Sequence, residues 1–171
     1  MKFLRILVLV SIALLYGFGG AIYGRTLTDW WVPVLVALVI ALITLSFCKK
    51  WAWFTETSNH ILNALFHFVA VGAVGYFLFL AGNYYLSDSA SMRKEKVMVQ
   101  EKYIETHERR RKWSTTREKV RNYYIQVVFE DGKVETLSVS SATYHKAREG
   151  KPQTLTLQKG FFGLPVITQG I

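Results

Sequence analysis

The chain has 171 residues, of which 51% are hydrophobic, and a net charge of +9. Its single cysteine, Cys48, excludes an intrachain disulfide and any metal site built from several cysteines. The charge is unevenly spread: residues 1–85 hold only seven charged side chains (Lys2, Arg5, Arg25, Asp29, Lys49, Lys50 and Glu56), so the chain divides near residue 86 into an apolar half and a polar half.

Three stretches of the apolar half are long enough for a helix crossing a bilayer core, which takes roughly 20 apolar residues. They run over residues 3–23, 30–47 and 61–85. In lipid a backbone must satisfy its own hydrogen bonds, so all three are read as transmembrane helices. Lys2 and Arg5 before an apolar run would also suit a cleaved secretory signal. The length of the run and the lack of a clean small-x-small cleavage site favour a retained span.

Lys2, Arg5, Lys49 and Lys50 place the N-terminus and residues 48–58 in the cytoplasm by the positive-inside rule. The chain is then expected to leave the third span on the far side, in a bacterial inner membrane with a periplasmic C-terminal domain. Trp30 and Trp31, then Trp51, Trp53 and Phe54, then Tyr84 and Tyr85 fall where the headgroups should lie. Small residues let helix backbones approach closely, so Gly20, Gly24, Gly72 and Gly75 are the candidate helix-packing positions.

His60, Asn63 and His67 are spaced to share one face of the third span. Polar groups inside a span are costly and mark either function or helix–helix hydrogen bonds. His60 and His67 are candidate ligands for a cofactor such as haem. Seven residues apart, they stand about 10 Å from each other along a helix axis. That is too far to share one small ion. Hydrogen bonding of Asn63 and His67 to the other spans is the favoured reading, and no cofactor or metal is expected. No Asp, Glu, Lys or Arg lies mid-span, which argues against an ion-coupled transporter or a proton pump.

Residues 86–93 read as a polar linker, and residues 94–171 as a small β domain. "VMVQEKYIETH" is rich in strand formers but mixes two alternation phases, which suggests a strand with a bulge. A helix is the alternative, since Glu105 with Arg109 and Glu108 with Lys112 are i, i+4 pairs, but the absence of an apolar stripe of helical period favours the strand. "YYIQVVF" and "VETLSVS" alternate on either side of Asp131-Gly132, a strong hairpin signal. "SSATYHKAREG" reads as a short helix with a serine cap. "TLTLQK", the turn "GFFG" and "LPVI" supply two closing strands, with Pro165 suited to an edge. The expected fold is three transmembrane helices followed by a five-stranded OB-like or SH3-like β-barrel with one short helix. Phe161 or Phe162 is expected to plug that barrel, the other serving as a contact point. A loop dipping into the membrane is the alternative reading of this stretch.

Asp131-Gly132, Ser140 with Tyr144, Gly150, and Lys159-Gly160-Phe161-Phe162-Gly163 with Pro165 carry a resemblance. This half of the chain resembles the outer domain of uncharacterised bacterial multi-pass inner-membrane proteins that join a few spans to a small β-barrel. The resemblance implies a fold and no activity.

Residues 93–121 carry eleven Lys or Arg against five Glu. The densest part, Arg109, Arg110, Arg111 and Lys112, is a candidate surface for anionic lipid or an acidic partner, as are Phe161 and Phe162 for apolar contact. A solvated hairpin tip explains the same charges without any partner. Nucleic acid is not expected, for lack of a binding motif and because of the expected compartment. No HExxH, GxSxG, P-loop or CxxC pattern occurs, so no catalytic residue is assigned. The expected function is a non-enzymatic membrane protein presenting an extracytoplasmic binding or accessory module. The alternatives are a membrane component with a histidine-ligated cofactor and an immunity-type protective protein. Expected partners are the lipid bilayer, another membrane or periplasmic protein, and a second copy of the chain in a homo-oligomer.

Overall fold

The computed structural model describes residues 2–110 and 117–169. It divides into two compact units, Met1–Asp88 with Lys159–Val166, and Ser89–Gln158 with Ile167–Ile171. The expected boundaries are corrected on two points. Residues 159–166 group with the helices and not with the sheet. The expected linker 86–93 is mostly the first turnless stretch of a strand that begins at Asp88.

The helical unit holds α1 (Lys2–Tyr23), α2 (Trp31–Ile43), α3 (Ala52–Thr55) and α4 (His60–Tyr85). At 22 and 26 residues, α1 and α4 are long and apolar enough to cross a membrane, reaching about 33 and 39 Å. Most side chains of α1 stay exposed within the structure, and α4 keeps an exposed face at Ile61, Leu62, Leu65, Val69, Val74 and Leu78, as faces turned to lipid would be. Pro33 lies in the first turn of α2, where its missing N–H breaks no helical bond. Asn59 caps α4, its side-chain oxygen accepting from the Ile61 and Leu62 N–H groups at 2.9 and 3.3 Å.

The second span differs from expectation. α2 ends after 13 residues at Ile43, about 20 Å long, and the chain bends by 75° into a 3₁₀ segment, Leu45–Trp51, that runs on into α3. Thr44 marks the bend. Its hydroxyl donates to the Ile40 carbonyl at 2.8 Å, the same carbonyl that accepts the Thr44 N–H. Glu56 then takes a left-handed conformation, φ 56°, which closes α3 and turns the chain toward α4.

α1 and α4 run parallel and level with each other. At their starts Arg5 pairs with Glu56 and donates to the Trp53 carbonyl at 2.7 Å. Midway Tyr16 donates to the Val69 carbonyl. At their ends Arg25 donates to the Tyr84 hydroxyl at 3.1 Å. The segment between them descends along α4 in the opposite sense: Ala37 and Ile40 lie against Gly75, Thr44 meets His67, and Thr55 meets Asn63.

The second unit is an open five-stranded antiparallel sheet in the order β3-β2-β1-β4-β5. The strands are β1 (Asp88–Arg110), β2 (Arg117–Val128), β3 (Val134–Val139), β4 (Pro152–Lys159) and β5 (Pro165–Gln169), with α5 (Ser141–Lys146) after β3. The expected closed barrel is not formed: β3 and β5 remain the two edges, because alternation decides which face of a strand is buried but not whether the last strand finds the first. The bulge is present in β1, where the register against β2 shifts between Val99 and Glu101. Val97 and Val99, two residues apart and so on one face, are buried with Ile125, Val127, Leu137, Leu155 and Leu157, and past the bulge it is Lys102 that pairs with Ile125. Gly132, at φ 84°, closes the β2–β3 hairpin, and Ser140 caps α5 through the Thr143 N–H at 3.1 Å. The Lys102 ammonium closes the other end of α5, donating to the Tyr144 and Ala147 carbonyls at 2.9 and 2.7 Å.

Ile125 has no exposed surface, whereas Ile104 in the neighbouring strand is 41% exposed. Ile125→Ala is expected to destabilise the sheet by about 2–5 kcal/mol, and Ile104→Ala by well under half as much. Hydrogen exchange of the β1–β3 amides measures both.

Candidate functional site

Two polar arrangements lie in the helical unit. The first is a seam between the bent second segment and α4. His67 is 1% exposed. The Trp51 indole N–H donates to His67 Nδ1 at 3.1 Å, and an indole can only donate, so the ring proton sits on Nε2. That proton points to the Thr44 hydroxyl at 3.0 Å, whose own proton goes to the Ile40 carbonyl. Every polar atom in the chain Trp51–His67–Thr44–Ile40 therefore has its partner. Four residues earlier on α4, buried Asn63 accepts from the Thr55 hydroxyl and donates to the Thr57 carbonyl at 3.1 Å. Rings complete the contact: Phe54 stacks on Phe66 at 4.0 Å, and Trp51 meets Phe66 edge-on at 4.9 Å. His60 stands apart, exposed at the first position of α4.

This arrangement holds the bend against α4. Both nitrogens of His67 are engaged, so ligating a cofactor would require breaking one of these bonds. Among the described residues no three His, Cys, Asp or Glu side chains gather as a metal site would require.

The second arrangement surrounds Asn83, fully buried near the end of α4. Its side-chain oxygen accepts from the Phe162 N–H at 3.0 Å and its amide donates to the Leu164 carbonyl at 3.1 Å. Its backbone carbonyl accepts from the Phe161 N–H at 3.3 Å. One asparagine thus satisfies three backbone groups of the "GFFGL" turn. The fit requires Gly160, since a Cβ there would stand 2.3–2.5 Å from the Asn83 amide. The turn itself is closed by Gly160 N–H to the Leu164 carbonyl at 3.0 Å and by Gly163 at φ 83°. Beside it, Leu27 donates to the Pro165 carbonyl at 2.9 Å and Thr26 bridges Val166, so the loop between α1 and α2 also meets this segment.

Phe161 and Phe162 therefore do not plug a barrel. They are 63% and 51% exposed, and Phe162 stacks on Phe79 of α4 at 4.9 Å. Their place is at the same end of α4 as Tyr84 and Tyr85. Of the expected packing glycines, Gly75 lies against Ala37 and Ile40 of α2, and Gly72 against the Tyr16 hydroxyl of α1. Gly20 and Gly24 meet no other helix. The close approach of α1 is made by Gly19, where a Cβ would come within 2.5 Å of the Tyr76 ring. Gly19 and Ile22 mark the buried face of α1, a spacing that a search for Gly-xxx-Gly misses. Arg109 and Arg110 end β1, paired in register with Glu118 and Arg117. Arg111 and Lys112 lie outside the described residues.

No protein-family model, no curated protein and no solved structure matches the chain.

Asn83→Leu would leave the Phe162 N–H and the Leu164 carbonyl without their partner, at about 1–3 kcal/mol for each group that stays buried. The expected outcome is faster hydrogen exchange at Phe161 and Phe162 and a lower melting temperature. Asn83→Asp keeps the acceptor for the Phe162 N–H but sets a buried carboxylate oxygen against the Leu164 carbonyl, so it should also lower the melting temperature.

Proposed function

We propose that this chain is a non-enzymatic protein of the bacterial inner membrane that crosses the bilayer three times and presents its sheet unit outside the cytoplasm as a binding or accessory module. The observation that carries the crossing count is the parallel, level packing of α1 and α4. Two spans running in the same direction require the chain between them to come back across. Here α2 makes most of that return, and the bent segment "CKKWAWFT" completes it. Lys49, Lys50, Trp51 and Trp53 in that segment have the composition of an interfacial anchor. With Lys2 and Arg5 at the same end, the positive-inside rule puts that end in the cytoplasm and the end at Tyr85 outside.

The module reading draws support from the sheet's open form. β3 is an edge strand, and edges left without a strand neighbour recruit partner strands by main-chain pairing. Tyr103 and Tyr124 stack at 5.3 Å as a cross-strand pair, giving the sheet a ready aromatic contact. The partner we propose is a membrane or periplasmic protein. The chain would then resemble bacterial inner-membrane proteins that carry a small outer β domain, with an open sheet in place of the closed barrel.

Thiol labelling tests the arrangement. In a Cys48→Ser background, Asp131→Cys should react with a membrane-impermeant reagent in intact spheroplasts, and Ser58→Cys only after lysis. The reverse pattern inverts the orientation, and equal reaction of both removes the odd crossing number. In the same cells, a photo-crosslinking residue at Thr136 on β3 should give a discrete adduct with a second chain. Its absence would reduce the sheet to a part of the anchor.

A further inference from the structure

Arg25 stands at the outer end of a groove between α1 and α4. The groove is about 290 Å³ and is lined by Phe18, Ala21, Ile22, Phe77, Tyr84 and Tyr85 below and beside the arginine. Its chemistry is graded along the helices. The walls nearer mid-span are apolar: Phe18, Ala21 and Ile22 from α1, Phe77 from α4. The mouth carries two tyrosines and a guanidinium. The Arg25 side chain is exposed and donates to the Tyr84 hydroxyl, which spends one of its five N–H donors. Among the described residues no carboxylate lies within ion-pair distance of it. An arginine left with most of its fork unpaired, at headgroup depth and directly above an apolar groove, matches an anionic lipid: phosphate at the fork, acyl chain in the groove.

We infer that this groove binds one anionic phospholipid of the leaflet at the Tyr85 end, with its phosphate on Arg25 and an acyl chain between Phe18 and Phe77. The inference rests on reading α1 and α4 as membrane spans. Charge complementarity selects the occupant. A zwitterionic lipid brings its own cation to the same place and loses the net attraction. Tyr84, held by Arg25, keeps the fork turned toward the groove mouth.

The test uses the full-length chain purified in detergent, with native mass spectrometry as the readout and dioleoyl phosphatidylglycerol and dioleoyl phosphatidylcholine as the probes. The wild-type chain should retain one phosphatidylglycerol about fivefold or more in preference to phosphatidylcholine, on the scale of one interfacial arginine. Arg25→Gln should abolish the preference, and Arg93→Gln, an exposed arginine in the sheet unit, should leave it unchanged. Ala21→Trp fills the groove while sparing the guanidinium and should also lower retention. Circular dichroism of each variant establishes that the helices are intact. Equal retention of the two lipids by the wild type would overturn the inference, as would an unchanged preference in Arg25→Gln or undiminished retention in Ala21→Trp. Failure of the underlying membrane reading looks different: the chain would then stay dispersed and monomeric without detergent.

Discussion

The parallel packing of α1 and α4 constrains everything that lies between and after them. Two helices that start together and end together leave residues 24–59 to travel back over the same distance. α2 covers about 20 Å of it, which is short of a hydrocarbon core near 30 Å. The remainder is supplied by a segment bent away from the helix axis. A bend exposes backbone and side-chain polar groups that lipid cannot satisfy. The Trp51–His67–Thr44 chain and the Asn63–Thr55 pair meet that need from α4. Polar residues that look like a cofactor site in one dimension are, in three, the supports of a broken helix.

The same logic operates at the opposite end of α4. There the turn at residues 160–164 presents three backbone groups, and one side chain, Asn83, answers all of them. An asparagine suits this task because its amide offers a donor and an acceptor in a fixed plane, so the turn is held in one orientation. Gly160 admits the contact and Gly163 closes the turn. With Phe161 and Phe162 exposed beside Tyr84 and Tyr85, this end of the helical unit carries a dense aromatic girdle of the kind that sits at a membrane–water interface.

Much of the fold was legible in the residue pattern. Apolar length located α1 and α4 to within one residue, and the mixed alternation of "VMVQEKYIETH" placed the bulge in β1. Ser140 and Asp131-Gly132 acted where their chemistry says they should. The break at Thr44 was not legible, because the apolar run continues through Phe47 and a hydropathy pattern does not distinguish a straight helix from a bent one. Gly19 was passed over because Gly20 and Gly24 match a familiar spacing. The contact face is instead set by which side of α1 Tyr76 occupies, a fact of tertiary packing. The turn at residues 160–164 was read as part of the sheet because its neighbours in sequence are strands. Its partner, Asn83, lies some eighty residues away, within the apolar run of α4.

The parallel arrangement of α1 and α4 is tested most directly by distance measurement between spin labels in lipid-reconstituted protein with Cys48→Ser as background. Labels at Leu4→Cys and Ile61→Cys should be close, because both positions lie at the N-terminal ends of their helices. Labels at Leu4→Cys and Tyr85→Cys should stand apart by about 36 Å, the rise of α4 between residues 61 and 85. A long first distance with a short second one would mean that the helices run antiparallel, and the three-crossing account would fail.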